Sequence, residues 1–292
     1  MEYGRLIVAL ATPFRPDLEV DYDKTAELAR RLVAEGATAF VSAGTTGESP
    51  TLSREERIEL VKTLKKAVRV PIIANVGTND TRASIRNAKD AEEAGADGLL
   101  LVVPYYNKPD QGMLFDHFKA IAESVKIPSM LYNVPGRTAA SVRPETVVKL
   151  SREVPNIRYV KEASGDLEAL TQIVRDSAPG FLAYTGDDSM TLPSLAVGAY
   201  GVVSVSGHVI GKQMKEMIDA YVAGYVVKAA ELHGKLLPLN RALFLQPNPV
   251  PLKAALKLCG FDAGSLRPPL KDASLEVVQA LKKALLDLGL LP

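Results

Sequence analysis

Val70-Pro71-Ile72-Ile73, Ile127-Pro128-Ser129-Met130 and Val154-Pro155-Asn156-Ile157 are three versions of one joint. Each sets a proline just ahead of an apolar run, where its missing N–H costs a strand nothing. The runs these joints open are part of a longer series: Leu6–Leu10, Ala39–Ser42, Ile72–Val76, Leu99–Val103, Met130–Asn133, Ile157–Val160, Leu182–Tyr184 and Val202–Val205. Most are near-continuous hydrophobics without alternation, the pattern of parallel strands covered on both faces. Amphipathic stretches separate them. Gly36, Gly95 and Gly198 stand where helix C-caps are expected, each followed by Ala and then a strand run. Ser53 and Glu56 form a capping box ahead of Ile58, Val61 and Leu64.

Serial helix–Pro–strand and helix–Gly–strand joints are the mark of a repeated βα unit. Eight strand runs fill residues 5–225, close to the roughly 250 residues of an eight-fold βα barrel. The sequence therefore predicts an α/β chain folded as a (β/α)8 TIM barrel. A doubly wound open sheet competes, but its Gly-rich first turn is missing, since Ala9–Phe14 has no glycine. Beyond Val226 the strand signal stops. Ala229–Phe244, Pro251–Cys259 and Ser274–Leu288 read as helices, joined by Pro-rich turns at Gln246–Pro251 and Arg267–Pro269. The expected division is a barrel catalytic domain over 1–225 and a small helical C-terminal domain over 226–292.

With 47% hydrophobic and 24% charged residues, the 292-residue chain has the composition of a soluble globular protein. A formal charge of +1 gives no general electrostatic attraction to nucleic acid or an anionic membrane. The single cysteine, Cys259, allows neither an intrachain disulfide nor a cysteine metal cluster, and its Leu258-Cys259-Gly260 setting favours a packed thiol. The apolar run Leu6–Ala11 is too short for a signal segment or a span, so the cytoplasm is the expected location.

In a βα barrel the chemistry gathers at the C-terminal ends of the strands. At the sixth such end stands Lys161, after Ile157-Arg158-Tyr159-Val160. An amine in an apolar pocket loses the solvation that holds its proton, which frees it to attack a carbonyl. The other reading is a strand-end lysine that snorkels to water. The second strand runs into Gly44-Thr45-Thr46-Gly47-Glu48-Ser49, whose hydroxyls and amides suit a carboxylate or carbonyl oxygen. It lacks the spacing and lysine of a Walker loop. Pro104-Tyr105-Tyr106-Asn107 follows the fourth strand, Tyr132-Asn133-Val134-Pro135-Gly136-Arg137-Thr138 the fifth, and Thr185-Gly186-Asp187-Asp188 the seventh. Asp187-Asp188 reads as a helix cap before a metal site. His117, His208 and His233 lack ligand spacing, which disfavours a metal mechanism. A Schiff-base enzyme needs an amine, a proton shuttle and carboxylate anchors. Lys161, the tyrosines with Thr45, and Thr46 with Arg137 supply them.

The strings GTTGES (44–49), PYYNKP (104–109), YNVPGRT (132–138), VKEASGD (160–166) and TGDD (185–188), together with Asn248-Pro249, resemble the dihydrodipicolinate synthase (4-hydroxy-tetrahydrodipicolinate synthase) family. The likeness runs from Ile7 to about Leu256, and the family belongs to the wider pyruvate-dependent Schiff-base aldolases. The resemblance implies a lyase of lysine and diaminopimelate biosynthesis with a class I Schiff-base mechanism. Lys161 would form an imine with pyruvate, and the derived enamine would attack L-aspartate 4-semialdehyde. Tyr132 would be the general acid/base, linked through Thr45 to Tyr106, which in the family reaches in from a neighbouring subunit. Thr46, Gly186 and Val203 would hold pyruvate and Arg137 the semialdehyde carboxylate. The resemblance implies a homotetramer, a dimer of dimers, and no metal or organic cofactor.

The chain departs from the family pattern at two places. Where some members bind lysine through histidines and a glutamate, this chain has Arg54, Arg57 and Ala83, although Ser49, Asn79 and Tyr105 remain. Cations facing an incoming ammonium predict weak or no lysine inhibition. Many members also have Ala-Asn where this chain has Gly207-His208. Two further readings fit the residues. One is a related aldolase, such as N-acetylneuraminate lyase or a 2-keto-3-deoxy-sugar-acid aldolase, from which Arg137 distinguishes the synthase. The other is a non-catalytic small-molecule binding barrel, which has no need of the Tyr132–Thr45–Tyr106 set.

Overall fold

The computed structural model describes residues 2–291. Its strands are β1 (Leu6–Ala9), β2 (Ala39–Ser42), β3 (Ile72–Asn75), β4 (Gly98–Val102), β5 (Ser129–Asn133), β6 (Ile157–Glu162), β7 (Leu182–Thr185) and β8 (Gly201–Ser204). They pair in chain order into a closed parallel barrel, as the eight apolar runs predict. β1, β2, β3, β5 and β8 are buried at every position, which is why their sequences show no alternation. The helices are α1 (Tyr22–Ala34), α2 (Arg54–Ala67), α3 (Thr81–Glu93), α4 (Gln111–Ala122), α5 (Pro135–Thr138), α6 (Pro144–Glu153), α7 (Leu167–Asp176), α8 (Thr191–Ala196), α9 (Gly207–Val222), α10 (Val226–Ala242), α11 (Val250–Leu258) and α12 (Leu275–Asp287).

The joints behave as their residue types require. Gly36, Gly95 and Gly198 carry φ of 107°, 91° and 97°, a left-handed turn that ends a helix at little cost only in glycine. Ser53 caps α2 by accepting from the Glu56 N–H at 3.1 Å, and Glu56 returns the bond to the Ser53 N–H at 2.8 Å. Asp187 caps the short 3-10 turn Asp188–Met190 that leads into α8, accepting from the N–H and hydroxyl of Ser189, both at 2.8 Å.

Two compact units make up the chain: Met1–Val70 with Ser204–Pro292, and Pro71–Val203. In the first, β1 and β2 pair in register (Ile7 with Ala39, Val8 with Phe40), and α9 packs on β1. α10, α11 and α12 follow in the same unit, α10 and α11 against α9 and α12 against both. The second unit carries β3 to β7 and most of β8. Its register sets Tyr132 on β5 beside Lys161 on β6, and Lys161 beside Tyr184 on β7.

Candidate active site

The continuous unit holds the predicted nucleophile. In a parallel sheet, registered neighbours on adjacent strands point to the same face, so Lys161, Tyr132 and Tyr184 form one row. Lys161 is 7% exposed and Tyr132 6%. Lys161 Nζ lies 4.2 Å from the centroid of the Tyr132 ring. The lysine thus does not snorkel to water. Its stem is confined by Gly186, where a Cβ would fall 2.7 Å from Lys161 Cε and 2.7 Å from the Ala163 methyl. The Gly186 N–H donates to the Glu162 carbonyl at 2.8 Å and holds the backbone there. Val203, also in this unit, is fully buried on β8.

The opposite face of β5 and β6 carries a second polar row, which the sequence reading missed. Asn133 sits beside Glu162 and donates through Nδ2 to both carboxylate oxygens, at 2.9 and 3.2 Å. Its Oδ1 accepts from the Ser141 hydroxyl at 3.1 Å and the Val142 N–H at 3.2 Å. The Ser164 N–H donates to Glu162 Oε1 at 2.8 Å. Burial pushes the Glu162 carboxyl above the usual range, and the bonds from Ser164 and Asn133 oppose it. This network ties down the segment after β5, which carries Arg137, and the loop after β6. Arg137 itself is exposed. Tyr106 is 89% exposed with a left-handed φ of 74°, so its own chain leaves the ring uncovered.

The discontinuous unit holds the Gly-Thr loop. Gly47 and Ser49 both donate to the Gly44 carbonyl at 3.1 Å, and Glu48 donates to Thr45 at 3.0 Å. The Thr12 hydroxyl closes the turn on the Gly47 carbonyl at 2.8 Å. Thr45 is half-buried and Thr46 buried. Thr46 Oγ1 accepts from Asn248 Nδ2 at 2.8 Å. Glu48, held at a φ of 56°, points inward to a buried ion pair with Lys253 on α11 at 2.8 Å. Its other oxygen accepts from the Arg267 N–H at 2.9 Å. Sequence reasoning found the loop and missed these supports. Two signals were on offer: Asn248-Pro249 among the family strings, and a lysine on the buried side of the apolar helix Val250–Leu258.

His208 proves to be a structural tie. It is fully buried, accepts from the Ala11 N–H through Nε2 at 3.1 Å, and donates through Nδ1 to the Val205 carbonyl at 2.8 Å. Those two bonds select the neutral tautomer with its proton on Nδ1. Burial lowers its pKa to about 4.

The chain matches the dihydrodipicolinate synthetase family over residues 2–288. A 4-hydroxy-tetrahydrodipicolinate synthase of Moorella thermoacetica is 50% identical over 293 residues, covering all of both chains. The solved dihydrodipicolinate synthase of Cyanidioschyzon merolae, with lysine bound, is 44% identical, covers 99% of each chain and superposes with a TM-score of 0.97. That of Acinetobacter baumannii, complexed with pyruvate, is 37% identical with a TM-score of 0.95, over 99% of this chain and all of the other. With a buried strand-end lysine, a closed eight-strand barrel and half its residues shared end to end with such a relative, the chain belongs to the dihydrodipicolinate synthetase family, whose members are lyases.

Proposed function

We propose that this chain condenses pyruvate with L-aspartate 4-semialdehyde through an imine on Lys161, the step its relatives' name describes, in lysine and diaminopimelate biosynthesis. The observation that carries the reading is the burial of Lys161 with Nζ against the Tyr132 ring. Burial away from water and packing against a ring support the reading that its nitrogen attacks a carbonyl carbon.

The chemistry follows from the groups present. The neutral amine adds to C2 of pyruvate, and loss of water from the carbinolamine gives the imine. Removal of a C3 proton gives the enamine, the lysine nitrogen serving as electron sink. The enamine carbon bonds to the aldehyde carbon, whose oxygen gains a proton. The amino group of the new chain then attacks C2 and displaces Lys161 as the ring closes. Tyr132 moves the protons, with Thr45 and Tyr106 relaying them. The exposed ring of Tyr106 supports the reading that a second subunit covers it, as in a homotetramer built from dimers. Thr46, Gly186 and Val203 hold pyruvate. Arg137 binds the semialdehyde carboxylate, a task suited to its planar fork.

Borohydride reduction in the presence of pyruvate tests the reading. A stable mass increase of one reduced pyruvate on Lys161 is expected. No adduct there, under conditions in which the enzyme turns over, would overturn it.

A further inference from the structure

Asn248 stands on the turn before α11 and is 6% exposed. Its Nδ2 donates to Thr46 Oγ1 at 2.8 Å, while its Oδ1 is buried without a hydrogen-bond partner. A threonine hydroxyl has one proton and two acceptor sites. With one acceptor site taken by the Asn248 amide, the Thr46 proton is free to point elsewhere, and among the described residues no acceptor takes it. The opposite amide orientation would present Oδ1 to Thr46 and absorb that proton. The loop around Thr46 has little freedom to adjust, because Glu48 is locked to Lys253 and to the Arg267 N–H, and Gly47 to the Thr12 hydroxyl.

We propose that Asn248 is a positioning residue: it sets the polarity of the Thr46 hydroxyl, so that Thr46 donates to the carboxylate of the 2-oxo acid that Lys161 captures. The inference rests on the pyruvate-imine reading given above. A hydrogen bond to an ionised oxygen is stronger than one between neutral groups. Fixing the donor in advance therefore strengthens the hold on the anion without touching the reacting carbon.

Aspartate is nearly isosteric with asparagine but only accepts, so in Asn248→Asp the carboxylate draws the Thr46 proton to itself. The expected result is a rise of about tenfold to a hundredfold in the pyruvate concentration that half-saturates turnover, the loss of one hydrogen bond to a charged group. The half-saturating pyruvate for borohydride trapping on Lys161 rises in parallel. The half-saturating semialdehyde stays within about twofold, as a contact outside its own site requires. Asn248→Ala removes the donor without adding a charge and should raise the pyruvate constant about tenfold. In a Thr46→Val background neither substitution should add to the defect, because the two residues act as one unit. Should Asn248→Asp not fold, Asn248→Ala with Thr46→Val carries the same test.

An Asn248→Asp enzyme with the parent's pyruvate constant would overturn the proposal, as would equal rises for both substrates. Additive effects with Thr46→Val would overturn it too. If the parent chain is trapped normally and the variants behave in one of these ways, this inference alone falls. If the parent is not trapped by pyruvate, the Lys161 reading falls and this inference with it.

Discussion

Among the described residues each unit buries one lysine, and the two are kept in opposite ways. Lys253 is 4% exposed and its ammonium is surrounded: the Glu48 carboxylate at 2.8 Å, the Ser265 carbonyl at 2.9 Å and the face of Phe14 at 4.3 Å. Burial pulls its pKa down, while Glu48 pulls it back. Lys161 is 7% exposed and has the Tyr132 ring at 4.2 Å. A buried charge with a carboxylate and a carbonyl is a brace. A buried lysine set against a ring, with no carboxylate among the described residues bridged to it, is what the proposed imine chemistry asks for. Burial alone does not say how a lysine is held; its partners do.

Substitution should break that contrast cleanly. Lys161→Ala is expected to abolish trapping by borohydride and pyruvate and to lower kcat by at least about a thousandfold, with thermal unfolding little changed. A variant that retained turnover would remove the distinction between the two lysines. Lys253→Met should do the reverse and strike stability. It strands a buried carboxylate, at a cost of about 3–5 kcal/mol in urea-unfolding free energy. Glu48→Gln in the same chain should recover part of that loss, because the stranded charge goes with it. No recovery would mean that Lys253 acts by packing its stem and not by pairing.

His208 extends the comparison to a buried base that burial, against the pull of one partner, keeps neutral. Burial lowers its pKa from 6.5 to about 4, the Val205 carbonyl opposes this, and Arg31 adds to it. In the unfolded chain the ring takes up a proton near pH 6.5, and in the fold it does so only near pH 4. Its contribution is therefore complete above the unfolded value and is lost as pH falls through the folded one, about 3 kcal/mol in all. His208→Asn should flatten the fall of stability between pH 6.5 and 4, measured by urea unfolding at each pH. An unchanged slope would assign the acid sensitivity elsewhere, with His117, whose pKa burial also lowers to about 4, as the alternative.

The smallest effect concerns cations outside the core. Arg57 donates to the Ser49 carbonyl at 2.6 Å, and Arg54 is exposed. With these two and Ala83 in place of a carboxylate and neutral rings, added lysine should leave the steady-state rate unchanged at micromolar concentrations. Micromolar inhibition would show that Ser49, Asn79 and Tyr105 suffice to bind it.

Much of this was legible from residue order. The strands announce themselves because burial on both faces removes polar residues from them, and the Gly and Pro joints mark where each begins. The burial of Lys161 was legible because it closes such a run. The supports were not. Asn248 lies 202 residues from Thr46, Arg267 lies 219 from Glu48, and His208 lies 197 from Ala11. Nothing local distinguishes such a polar residue from one that faces water; only the closed chain brings donor to acceptor. Glu162 was hidden for a different reason. It adjoins Lys161 in the same string, and the period of two sends it to the far face of the sheet, where it braces the loops.

The missing side chain of Gly186 has a thermodynamic meaning. The room beside Lys161 is that of a hydrogen atom, since a methyl group there would overlap Cε at 2.7 Å. A free lysine side chain holds up to about 2 kcal/mol of rotamer entropy at room temperature. Walled in on that side, Lys161 gives up part of this freedom once, as the chain folds, and in the proposed reaction it would not surrender it again with every molecule of substrate that arrives.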